Sequence, residues 1–73
     1  MIKKVGPFEL EVLENGEYIE NPFSGQKAFL EPDAVAMYDV IKGFEIVEDY
    51  KNLRKGLDYF RKTWPDEYMV LLD

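Results

Sequence analysis

Phe29-Leu30-Glu31-Pro32-Asp33-Ala34-Val35-Ala36-Met37-Tyr38 is the stretch in which the chain changes period, and that change decides the fold. Proline at position 32 has its φ preset for the first helical position and lacks an N–H that would go unpaired there. Glu31 and Asp33 complement the positive end of a helix dipole. Beyond them Ala34, Met37, Tyr38, Ile41 and Phe44 recur at spacings of three and four, with Val40 and Val47 widening the stripe. Asp39, Lys42 and Glu45 mark the wet side of this helix. Gly43 interrupts it and predicts a bend or a close approach to a neighbour.

Working outward toward the C-terminus, a second helix begins after Asp49. Tyr50, Leu53, Leu57, Phe60 and Trp64 form its apolar stripe. Trp64-Pro65 ends it, because a residue before proline is biased away from the α region. Thr63 is placed to cap a short last helix from Pro65, with Asp66 and Glu67 in its first turn. Tyr68-Met69-Val70-Leu71-Leu72 is too short to assign by period, and helix and strand both stay open for residues 66–72.

Toward the N-terminus the period is two. Phe8, Leu10 and Val12 alternate with Glu9 and Glu11. Asn15-Gly16 offers the two positive-φ residues of a type I′ hairpin, which would set Leu13 opposite Tyr18, Val12 opposite Ile19 and Glu11 opposite Glu20. That last pair puts like charges face to face, at a small cost. Asn21-Pro22-Phe23-Ser24-Gly25 is a second turn, from which Gln26 to Leu30 returns as a short strand. The expected class is therefore α+β. An N-terminal antiparallel hairpin or three-stranded meander (residues 5–30) packs on two main helices and a short C-terminal helix or strand (residues 32–72), all within one domain, 1–73.

Composition narrows the function. The 73 residues contain no cysteine and no histidine. Disulfides, thiolate nucleophiles, zinc-thiolate sites and the commonest general base are thereby excluded. Serine and threonine occur once each, at Ser24 and Thr63, and neither is flanked by a base motif. The expectation is a binding protein and not an enzyme, with no catalytic residue, no cofactor and no metal site. A net charge of −6 favours solubility and argues against nucleic acid or membrane binding by the whole surface. No signal peptide and no apolar run near the roughly 20 residues of a membrane span is evident, so the expected compartment is the cytoplasm. A chain this short buries little of its surface, and self-association is the reinforcement left open to it.

Four features stand out as candidates. Lys51, Arg54, Lys55, Arg61 and Lys62 face only Asp58 in residues 50–62, a local excess of four positive charges in an acidic chain. They offer a surface to phosphate or an acidic partner, or they are the solvated side of an amphipathic helix paired to neighbouring acids. The second reading is favoured, since no aromatic is interleaved to stack bases. The stripe Tyr50, Phe60, Trp64 is core, a dimer seam, or both. The loop Asn21, Phe23, Ser24, Gly25 presents either backbone N–H groups to an anion or a rigid turn in which Phe23 anchors the loop to the core. Glu9, Glu11, Glu14, Glu17 and Glu20 space carboxylates along an extended surface. Such a row can imitate a phosphate backbone, but more often it protects strand edges from aggregation.

The strings NPFSGQKAFLEPDAVAMYDVIKG and YKNLRKGLDYFRKTWPDEYMVLLD, covering roughly residues 19–73, resemble a group of small uncharacterised proteins encoded by tailed bacteriophages. The shared traits are an Asn-Pro-aromatic turn before a Pro-started helix, a Tyr-Asp pair, Ile-Lys-Gly and a Leu-Leu-Asp close. The resemblance implies a phage origin and the infected bacterial cytoplasm as compartment, and it transfers no activity or site. Together these readings predict a homodimeric interaction module that modulates a host or phage protein. The alternative is a nucleic-acid or nucleotide binder using the basic face of residues 50–62.

Overall fold

A computed structural model describes residues 1–72. Four short strands come first: β1 (Ile2–Val5), β2 (Phe8–Glu11), β3 (Glu17–Glu20) and β4 (Lys27–Leu30). Three helices follow: α1 (Pro32–Ile46), α2 (Tyr50–Thr63) and α3 (Pro65–Leu71). The α+β class with antiparallel hairpins at the N-terminus is thus the one expected.

The pairing within it differs from the expected meander. β1 pairs with β2 and β3 with β4, giving two separate two-stranded sheets. The first hairpin turns at Gly6-Pro7. Gly6 takes φ +56° at the first central position, and proline restricts the second to negative φ, the sign pattern of a type II′ turn. A Cβ on Gly6 would also lie 2.5 Å from the Tyr59 ring, so glycine is needed there twice over. Asn15-Gly16 is no hairpin turn, and the pairs Leu13–Tyr18, Val12–Ile19 and Glu11–Glu20 do not form. Electrostatics favours the observed register, which sets Lys4 opposite Glu9 and Glu20 opposite Lys27. Gly16 has no positive φ. It is small because a Cβ there would strike the Leu30 carbonyl oxygen and approach the Phe29 ring to 2.8 Å.

α1 starts as anticipated, with Glu31 at the cap and proline at the first position. Ala34, Val35, Met37 and Ile41 are buried, and Tyr38, Val40 and Phe44 are half-buried. Phe44 meets Phe8 of β2 with ring centroids 5.2 Å apart. The stripe stops short of Val47, which is exposed, because the helix has already ended. Gly43 neither bends α1 nor packs closely: it faces open space inside a continuous helix. The close approach is at Gly56 of α2, where a Cβ would lie 2.8 Å from the Ile41 side chain. α1 and α2 pack through that point.

Asp49 caps α2, its side chain accepting from the Asn52 N–H at 3.3 Å. Phe60 is fully buried and Trp64 nearly so, their centroids 5.0 Å apart. Leu53 and Leu57 are only half-buried, and Tyr50 is 62 % exposed, so the N-terminal end of the expected stripe is not core. Thr63 does not cap α3. It is the last residue of α2, and Trp64 occupies the cap position with no side-chain bond. Residues 65–71 are helical, which resolves the alternative left open for the C-terminus. β1 is tied to α1 by Lys3, whose Nζ lies 2.9 Å from an Asp33 carboxylate oxygen.

Candidate functional site

α2 carries the candidate site because its sequence sorts charges to one side. At about 100° per residue, Arg61, Arg54, Asp58, Lys51, Lys62 and Lys55 follow one another within an arc of about 120°. Gly56 and Phe60, buried, lie on the opposite side. The structure therefore brings all five predicted cations onto one exposed face. Arg61 reaches Asp58 at 3.4 Å, while Lys51, Arg54, Lys55 and Lys62 make no ion pair among the described residues. Pairing to neighbouring acids, the bland explanation of this face, holds for Arg61 alone.

Aromatic rings also border the face, which the sequence reading did not anticipate. Tyr50, exposed at the start of α2, shares a shallow surface with Lys51, Arg54, Lys55 and Asp58. Tyr68 is brought in by α3 and lines a groove with Tyr50, Leu53, Arg54, Leu57, Asp58 and Arg61, about 290 Å³ in volume. The spacing puts Tyr50 in a stripe read as core, a dimer seam, or both, yet the same spacing sets it four residues from Arg54. That proximity was available as a signal. Nothing local to residues 65–72 pointed to Tyr68, whose place depends on how α3 folds back on α2.

Beyond the ridge of Leu53 and Leu57 lies a second groove of about 240 Å³, between the 21–26 turn, α1 and α3. Its apolar lining is Pro22, Phe23, Ile41, Leu53, Leu57, Leu71 and Leu72, with Asn21, Lys42 and Glu45 as its polar members. The turn itself corrects two expectations. Phe23 does not anchor the loop, since its side chain is 98 % exposed. Asn21 is the anchor instead, donating from Nδ2 to the Val70 carbonyl at 2.9 Å. The turn also offers no row of free donors to an anion. The N–H groups of Phe23 and Ser24 bond to Asn21 Oδ1, that of Gly25 to the Asn21 carbonyl, and that of Gln26 to Ser24 Oγ.

The carboxylates of the N-terminal half are split as well. Glu9 and Glu11 lie on β2, Glu17 and Glu20 on β3 of the other sheet, and Glu14 in the link between them. Two of the five face lysines across a strand pair, so no uninterrupted acidic row forms. No helix among the described residues is long and apolar enough to cross a membrane. No protein-family model matches the chain, and neither a curated protein nor a solved structure shows a significant likeness to it.

Proposed function

We propose that this chain works by binding a protein partner, and that α2 presents an acidic, apolar-anchored segment of that partner with its contact surface. The observation that carries this reading is that Arg54, unpaired, lines the groove over Leu53, Leu57, Tyr50 and Tyr68 while unpaired Lys51, Lys55 and Lys62 lie on the same face of α2. Tyrosine and arginine beside an apolar floor are the composition of binding hot spots. The floor suits the aliphatic or aromatic side chain of a peptide, and the cations suit its carboxylates. The likeness to tailed-phage proteins supplies the setting we propose: the cytoplasm of an infected bacterium, with a host or phage protein as partner.

Nucleic acid is the second reading, favoured by Tyr50 beside Lys51, Arg54 and Lys55, where a base could stack. Asp58 in the middle of the basic face and the net −6 of the chain oppose any anionic partner, and they oppose the dense charge of a phosphate backbone more than a few carboxylates on an apolar segment. Affinity capture from a bacterial lysate separates the two, using the wild type and a K51A/R54A/K55A variant with and without nuclease. A protein retained by the wild type after nuclease treatment and lost from the variant supports our reading. Retention that disappears with nuclease supports the nucleic-acid reading. Identical capture by both chains removes α2 from either account.

A further inference from the structure

The 21–26 turn holds its one large apolar side chain in water at the edge of a groove that Phe23 itself helps to line, and the groove is of the right size to take one more ring. Phe23 is 98 % exposed. The turn that carries it is fixed from within by the bonds to Asn21 and Ser24, and from below by Asn21 to Val70. The groove next to it measures about 240 Å³. Small-molecule sites run to about 300–1,000 Å³, so this one matches a single side chain better than a cofactor. An aromatic ring that enters such a site buries about 150–250 Å².

We propose that the occupant is a second copy of this chain, and that two copies associate about a two-fold axis by exchanging Phe23. A two-fold contact requires one patch to complement itself. Here the exposed ring of Phe23 and the apolar groove it helps to line lie on one face of the molecule, so the patch carries both halves of the contact. Charge selects the same face. A symmetric contact across the basic side of α2 would set unpaired cations against their own copies. The groove is instead flanked by Lys42 and Glu45, one of each sign, separated by 4.0 Å within the chain. Meeting its own image, that rim brings no net repulsion. The groove shares Leu53 and Leu57 with the surface assigned to a protein partner, but the proposal is argued from Phe23, Lys42 and Glu45 and is read by self-association alone.

Sedimentation of the wild type, Phe23→Ala and Phe23→Leu across a concentration series tests it, with circular dichroism as the check on folding. The wild type is expected to dimerise at micromolar to tens-of-micromolar concentration, the range in which such contacts are read. Phe23→Ala should fold as the wild type does and weaken association at least about tenfold, as loss of a central aromatic does. Phe23→Leu should recover part of it. A wild type that stays monomeric overturns the proposal, including the case in which Phe23 engages a different protein. So does a Phe23→Ala variant that dimerises as well as the wild type, or one that unfolds and thereby shows the ring to be part of the core.

Discussion

At the residue scale the least expected feature is Glu48, which takes φ +59° in the link between α1 and α2. The Glu48 N–H bonds to the Glu45 carbonyl at 3.2 Å and the Asp49 N–H to the Phe44 carbonyl at 2.9 Å. That bond pair is the Schellman ending of a helix, in which glycine is the usual left-handed residue. An L side chain there costs about 1–2 kcal/mol, part of which is returned by the lower entropy of its unfolded chain. Glu48→Gly should accordingly raise stability by about 0.5–1 kcal/mol, seen as a higher urea midpoint at unchanged slope. Gly56 is the opposite case. It sits mid-helix, where alanine would gain about 1 kcal/mol by propensity. Its Cβ would lie 2.8 Å from Ile41, however, and overpacking costs about 1–3 kcal/mol. Gly56→Ala should lower the midpoint, and a raised one would mean that α1 and α2 give way easily. Neither position was legible in the sequence, because what governs each is a tertiary closure: a helix ending forced by the α1–α2 turn, and a helix crossing.

At the element scale the hairpins show how a strong local signal loses to a better long-range fit. Asn15-Gly16 is a favoured hairpin dipeptide, but using it would place Glu11 opposite Glu20 and leave Lys4 without its cross-strand partner Glu9. Turning at Gly6-Pro7 pairs Lys4 with Glu9 and frees β3 to pair with β4, where Lys27 meets Glu20. The like-charge clash already visible in the sequence was therefore evidence against the register that produced it. The helices were more legible, since a three-four spacing over fifteen residues admits few alternatives, and Pro32 and Pro65 mark their starts. Substitution distinguishes the two turns. Asn15→Ala, exposed and outside any turn that requires positive φ, should change stability by less than about 0.5 kcal/mol. Gly6→Ala should cost about 1–2 kcal/mol from its φ alone, and more from the Tyr59 ring beside it. Equilibrium unfolding of the two variants reads this directly, and a larger loss at Asn15 than at Gly6 would contradict the observed pairing.

At the scale of the whole molecule, charge and packing divide α2 lengthwise. The excess of cations on residues 50–62 was readable from composition, and so was their gathering on one face. Their isolation from acids was not, because it depends on where the two hairpins carry their glutamates. The groove beside them was not readable either, since α3 forms one wall and the period of α3 was ambiguous. The division makes a prediction about what each side is for. Lys51, Arg54 and Lys55 are exposed and unpaired, so replacing all three with alanine should shift stability by no more than about 0.5 kcal/mol each. Removing like charges that repel one another could even stabilise α2 slightly. Trp64, on the packed side, is buried against Phe60 and Tyr59, and Trp64→Ala should cost about 3–5 kcal/mol. In a domain whose whole stability is about 5–15 kcal/mol, that loss removes a large share of it and lowers the unfolding midpoint sharply. Thermal unfolding of the two variants, set beside partner capture, separates recognition from scaffold. If the triple variant unfolds, the cations hold the fold and α2 loses its claim as a contact surface. If Trp64→Ala stays folded and loses its partner, the ring belongs to the interface and the packed side of α2 has been misassigned.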